Sequence, residues 1–415
     1  MCNKPGGKLM QRERATLDRS LGLPLTVLYG LGVTIGAGIY VLIGQTAGRA
    51  GMQAPFAFIL AALAMAPSAG SFAELSSRLP FSAGEATYVK FGLRSEWLAR
   101  LVGMLTIAVA IVSTATVSRG CAGYIQVLID IPIGVIIVGL VLAMGCIAAW
   151  GIKESVAFAG LMTLIEISGL LMIVVSGIAS VPDLWVRLPE AWPGLTNVDA
   201  WTGVLTTALL AFFAFTGFEG LANIAEEVKE PERTLPRAIF LTLGLVTLLY
   251  VLVVWVALIV VPRAELAATA APLSLVFERV SGVSPAAITF IAIVATMNGI
   301  VVFILMGSRV AYGMAAQGLL PASLANVNSR TRTPLRATAM VVAIALVLSV
   351  LAPIESLAEM ASRLTLIIFA FVNAALVKIK IDGIAAPAGA FTVPSWVPVA
   401  GVLTSLGLLA CDLAY

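Results

Sequence analysis

Residues 33–40 read VTIGAGIY, in the middle of the first long apolar run, residues 21–45. Glycine costs about 1 kcal/mol against alanine inside a helix, yet Gly30, Gly32, Gly36 and Gly38 all fall within this run. Two readings are open. Glycines let helices approach closely in a membrane, as small-residue patterns do. Alternatively the helix comes apart here and leaves bare backbone for a ligand to approach. Unwinding in lipid strands N–H and C=O groups at several kcal/mol each, so it is tolerated only where the break is buried or lines a cavity.

A second stretch shifts the weight toward the break. Residues 204–231 read VLTTALLAFFAFTGFEGLANIAEEVKEP, an apolar span interrupted at its centre by Gly217, Glu219 and Gly220. Two glycine-interrupted spans at matching places in two halves point to an inverted-repeat transporter with its site near mid-membrane. Free N–H groups at the start of the outer half-helix, with its positive dipole end, suit a carboxylate. Free carbonyls in the second break suit an ammonium. A zwitterionic amino acid carries both groups.

Composition fits a membrane setting. The 415 residues are 60% hydrophobic and 11% charged, with mean hydropathy +1.04, where a soluble domain carries about 25% charged residues. A bilayer core takes about 20 apolar residues as helix. Cutting the chain at charged and proline-rich breaks gives eleven spans: 21–45, 54–75, 97–128, 133–150, 155–178, 201–224, 238–261, 286–314, 337–351, 357–377 and 396–413. The ten-residue alternation of an outer-membrane barrel is absent. The basic N-terminus lacks a short apolar core followed by a cleavage site, so no removable signal peptide is expected. Cys2, Cys121, Cys146 and Cys411 are scattered and suggest neither a disulfide framework nor a metal site.

Lys and Arg set the expected orientation. Lys4, Lys8, Arg12, Arg14, Arg78, Lys153, Lys229, Arg233, Arg330, Arg336 and Lys378 fall on one side, against Arg49, Arg187, Arg263, Arg279 and Arg363 on the other. The basic side, with the N-terminus, is expected to be cytoplasmic, in the inner membrane. The net charge of +3 is then a topology signal and points to no nucleic-acid partner. The expected organisation is an N-terminal segment, 1–20, a ten-span core, 21–380, in two halves, 21–180 and 200–380, and a further C-terminal span in 381–415.

Several of these stretches together resemble the amino acid–polyamine–organocation (APC) superfamily of permeases. They are VTIGAGIY at 33–40, FAELSSRLPFSAGEATYV at 72–89, FFAFTGFEGLANIAEEVKEPERTLPRAI at 212–239, SRVAYGMAAQGLLPASLANVNSRTRTP at 308–334 and LTLIIFAFVNAALVKIK at 364–380. The resemblance implies the all-α leucine-transporter-like fold, a 5+5 inverted repeat with discontinuous first and sixth spans. It implies alternating access around both breaks. Ile35, Gly36, Ala37 and Gly38 would meet a substrate carboxylate through backbone N–H groups. Phe215, Thr216, Gly217 and Phe218 would offer carbonyls to its amino group, with Phe215 or Phe218 as a gate. Glu226 and Glu227 would pair with basic residues in a cytoplasmic hinge loop. Two departures stand out. The family usually has twelve spans rather than eleven, and Glu166 lies where several members carry a lysine that takes the place of a sodium ion.

Ionisable groups inside spans cost at least about 2.5 kcal/mol and are functional candidates by default. Glu166 lies near mid-depth in the fifth span. With no histidine in the chain, proton coupling would need a carboxylate, and Glu166 is the candidate; a structural bond, for instance to Arg119, is the alternative. Glu219 either binds a cationic substrate group or caps N–H groups freed by the break. Asn298 either lines the cavity or joins helices. Glu74 and Arg78 are read as a gating or structural salt bridge at the cytoplasmic end. Thr296 alone offers a deep hydroxyl on the eighth span, which disfavours a sodium site.

The sequence shows no continuous polar ring as a channel needs and no reacting cluster or nucleotide loop as an enzyme needs. The expectation is an amino-acid permease, proton-coupled or exchanging, with no cofactor. A transport-inactive amino-acid sensor and a polyamine or organocation transporter of the same fold are the alternatives.

Overall fold

The computed structural model describes residues 19, 21–79, 84–150, 156–316, 318–331 and 333–414. Among these, regular structure is helical apart from one isolated bridge. The α-helices are α1 (Leu23–Thr34), α2 (Ala37–Ala50), α3 (Ala54–Arg78), α4 (Gly84–Leu93), α5 (Glu96–Gln126), α6 (Ile133–Trp150), α7 (Val156–Ser180), α8 (Val198–Phe215), α9 (Pro231–Val260), α10 (Arg263–Ala268), α11 (Pro272–Ser281), α12 (Ala286–Ala316), α13 (Leu335–Leu351), α14 (Ile354–Ile381) and α15 (Trp396–Ala414). Between α8 and α9 the chain runs as a 3-10 helix, Phe218–Glu227. The expected N-terminal segment lies outside the described residues except for Arg19.

Helix boundaries follow from local chemistry. Pro24 sits in the first turn of α1, where its missing N–H costs nothing. Ser95 caps α5 by accepting the Leu98 N–H at 3.3 Å, and Asn197 caps α8 by accepting that of Ala200 at 3.1 Å. Hydroxyls within α5 return to their own helix: Thr106 donates to the Val102 carbonyl at 3.0 Å and Thr114 to that of Ala110 at 2.7 Å. Such back-bonding hides a polar group where no water is at hand.

Each of the eleven apolar runs read from the sequence coincides with helix. Among the described residues eight helical stretches are long and apolar enough to cross a membrane, while Leu23–Thr34, Leu335–Leu351 and Trp396–Asp412 are shorter. The first of these is short because the opening run is split into α1 and α2, and α2 runs on through one 3-10 turn into α3. Large apolar residues such as Leu63, Val135, Val175, Leu248 and Val347 are exposed on the outside of the bundle, the arrangement of a multi-pass membrane protein.

Packing is organised in pairs. α3 lies along α9 and α8, α5 along α12 and α14, α2 against α8, and α1 against the 3-10 helix. The start of α1 is tied to the end of that 3-10 helix by two main-chain bonds: Leu21 N–H donates to the Glu227 carbonyl at 3.0 Å, and Lys229 N–H to that of Leu21 at 2.8 Å.

Candidate functional site

Both glycine-rich runs are broken. α1 stops at Thr34, and α2 begins at Ala37 with Gly36 before it and no side-chain cap. α8 stops at Phe215, Thr216 turns extended, and Gly217 takes φ +127 ahead of the 3-10 helix. A Cβ at Gly217 would stand 2.5 Å from the Val33 carbonyl oxygen and 3.1 Å from Thr34 Cα. Glycine is needed there twice over, by its dihedral and by the close approach of the first break.

The glycines of the opening run divide. A Cβ at Gly30 would meet Thr242 Oγ1 at 2.5 Å, one at Gly32 would meet Thr163 Oγ1 at 1.9 Å, and one at Gly38 would meet Ala214 Cα at 2.3 Å. These three serve close helix packing. At Gly36 a Cβ would meet nothing within 4 Å, and Gly36 lines a cavity. Gly32 and Gly38 line the same cavity, so both readings of VTIGAGIY hold, and at Gly38 they hold together.

The cavity lies between the breaks. Gly36 and Thr34 reach it from the first, Thr216, Gly217 and Glu219 from the second, Asn298 and Phe303 from α12, Thr365 and Phe369 from α14, and Glu85 from α4. It leaves about 60 Å³ in which the centre of a water molecule can move, room for a few waters or a small solute. Glu219 Oε2 accepts the Gly217 N–H at 2.8 Å, a bond within the break itself. The Thr365 hydroxyl is buried, with no hydrogen-bond partner among the described residues. Desolvation holds the Glu85 carboxyl above the ordinary value of 4.5, partly offset by a bond to its own main chain.

Other expected residues surround the cavity without lining it. Ile35 is buried at 1% exposure, and the Ala37 side chain falls outside what the structure describes. Phe215 and Phe218 are wholly buried in ring clusters: Phe215 meets Tyr250 at 5.3 Å and Phe58 at 6.1 Å, and Phe218 meets Phe369 at 5.6 Å and Phe72 at 5.8 Å. Glu166, with 0% exposure, meets the Asn298 amide at a long 3.5 Å, and its Oε2 has no partner among the described residues. Asn298 thus stands between the cavity and Glu166. Arg119 bonds elsewhere, donating to the Ser349 carbonyl at 2.7 Å. The Thr296 hydroxyl turns back to the Ala292 carbonyl at 2.6 Å.

Two neighbours of the breaks lay beyond sequence reasoning. Tyr250 of α9 places its hydroxyl 2.9 Å from the Thr34 carbonyl and 3.1 Å from that of Ala214, beside both breaks. Its only sequence signal is a tyrosine within an apolar stretch, LLYVLVVW. Tyr40, just past the first break, donates to the main-chain carbonyl of Glu166 at 2.7 Å and accepts at its own carbonyl from the Tyr124 hydroxyl at 2.5 Å.

At one end of the bundle Glu74, wholly buried, pairs with two cations. Arg78 reaches Oε1 at 2.7 Å and Lys380 reaches Oε2 at 2.8 Å. The Val393 N–H also donates to Glu74 Oε2 at 2.8 Å, and Arg78 donates to the Ile384 carbonyl at 2.9 Å. The network ties α3, α14 and the segment before α15 together. The Glu226 side chain is not described, and Glu227 enters through its main-chain carbonyl.

The chain is similar to known proteins. The family model for amino acid permeases matches residues 21–411. The chain is 30% identical to the branched-chain amino acid permease BcaP of Bacillus subtilis (strain 168), covering 88% of this chain and 82% of that one. It is 30% identical to cationic amino acid transporter 3, mitochondrial, of Arabidopsis thaliana, covering 88% of this chain and 63% of the plant protein. It is also 29% identical to a methylthioribose transporter of Bacillus subtilis (strain 168), covering 89% and 83%.

Proposed function

The chain belongs to the amino acid permease family, and from that premise we propose that it moves an amino acid across the inner membrane by alternating access around its two broken helices. It is a transporter and not an enzyme. The observation that carries the mechanism is that Gly36 of one break and Thr216 and Gly217 of the other line one cavity. The substrate carboxylate meets main-chain N–H groups at the start of α2, where the helix dipole favours negative charge. Its ammonium meets carbonyls left free near the end of α8. The pairing of α3 with α9, of α5 with α12, and of α2 with α8 supports a 5+5 repeat, since each pair joins spans five apart. The N-terminus faces the cytoplasm.

Transport is coupled to protons through Glu166. An ionised carboxylate wholly out of water with one oxygen unpaired is costly, so the group takes up a proton and releases it only when the cavity opens to water. Asn298 relays the state of Glu166 to the cavity wall. Glu74 and Arg78, with Lys380, close the cytoplasmic end.

Reconstitution into proteoliposomes tests this. Uptake of a labelled amino acid should follow an imposed inward proton gradient, and Glu166→Gln should abolish that dependence. Uptake by Glu166→Gln that still tracks the gradient would remove the proton role. No uptake or counterflow of any amino acid by wild type would remove transport itself.

A further inference from the structure

We propose that Glu85 and Glu219 form a cation subsite in the cavity, so that the solute carried is a cationic amino acid, with a side-chain ammonium or guanidinium besides its α-carboxylate. This rests on the reading of the cavity as the substrate site.

The cavity is lopsided in charge. Among the described residues two carboxylates line it, Glu219 from the second break and Glu85 from α4, and no Lys or Arg does. Neither acid makes an ion pair among the described residues, in contrast to Glu74 with its two cations. Two carboxylates facing one cavity without a counter-ion repel each other when both are ionised. A ligand cation relieves that cost. Glu219 spends Oε2 on the Gly217 N–H, but a carboxylate has about four acceptor positions, so this bond leaves capacity for a donor.

A separate observation points to a ligand at the same place. The Thr365 hydroxyl, 2% exposed on the cavity wall, has no partner among the described residues. Buried hydroxyls rarely go unpaired. An ammonium or guanidinium brings three to five N–H donors, enough to serve both carboxylates and this oxygen. Val109, Val302, Met306 and Ile368 complete the wall and suit the methylene stem of such a side chain. The first break supplies Gly36 to the same cavity for the carboxylate end.

Counterflow in proteoliposomes of the full chain tests the proposal, with labelled lysine and arginine against leucine and putrescine. Lysine and arginine should be carried at least tenfold faster than leucine, and faster than putrescine, which lacks a carboxylate. In Glu85→Gln and Glu219→Gln the KM for lysine should rise at least tenfold, and Thr365→Val should raise it less. The wild-type profile stands as a test on its own where a variant fails to fold. Leucine carried well and lysine not would overturn the cation subsite while leaving the permease reading intact. Putrescine matching lysine would overturn the amino-acid half of the claim. No amino acid carried at all would instead count against the function proposed above.

Discussion

Single atoms decide what each glycine is for. At Gly38 an added methyl would collide with the Ala214 backbone at 2.3 Å. Gly38→Ala should therefore lower stability by about 1–3 kcal/mol, the usual cost of overpacking, read as a lower unfolding temperature in detergent. Gly36→Ala places its methyl in open cavity space and should weaken substrate binding more than stability, read by ligand-induced thermal shift. The sequence could show that four glycines were anomalous but not how they divide. That depends on neighbours more than a hundred residues away, Thr163, Ala214 and Thr242, which no local pattern names. The phenylalanines make the same point. Their place in the second break was legible, whereas their burial against Phe58, Phe72 and Tyr250 is a matter of tertiary packing. Glu85 carries the pH signature of the cavity, with Glu219 across the space and Tyr88 on its own helix as the titratable groups near it. Its carboxyl is held above the ordinary range by desolvation, so it exchanges a proton for a bound cation at a higher pH than a surface glutamate would. Affinity for lysine should fall as pH drops through that raised value and recover above it, measured by binding at a series of pH values. A profile flat down to the ordinary carboxylate range would remove Glu85 from the binding wall.

At the scale of helices, two joints hold the arrangement. One is the charge network on Glu74, whose exposure is 0%, with Arg78 and Lys380 at 8% and 13%. Glu74→Gln removes the only anion facing two buried cations among the described residues, and breaking such a pair from one side costs about 3–5 kcal/mol. The expected result is a marked drop in unfolding temperature, partly restored by Glu74→Gln with Lys380→Gln, which removes one stranded charge. The other joint is the Tyr250 hydroxyl. Tyr250→Phe should cost about 1 kcal/mol of stability but change transport more, because the lost group touches the ends of both α1 and α8; KM and maximal rate for counterflow would show this. Helices were the most legible level of this protein, since every apolar run of the sequence became helix. Where each run stops was also readable, from Pro24, Ser95, Asn197 and the two glycine breaks. The segment after α14 was not, because its anchoring to Glu74 and Ser77 runs through main-chain N–H groups, which any residue supplies.

For the molecule as a whole, interrupted spans in a chain too apolar for water pointed to a transporter, the resemblance of five stretches pointed to a permease, and the family match agrees. The cavity's cargo was not foreseeable, because its wall is assembled from α4, α5, α12 and α14 as well as the breaks, and one sequence does not reveal which face of each helix turns inward. The Tyr250 hydroxyl, described above beside both breaks, carries one hydrogen for two oxygens, on Thr34 and Ala214. Full strength toward one means neglect of the other, so the two carbonyls compete for a single donor. Any movement that lengthens one contact hands the hydrogen to the other, and a tyrosine thereby becomes a two-position latch between the two helix breaks. Isotope labels on those two carbonyls would register the exchange as opposite infrared shifts on adding substrate.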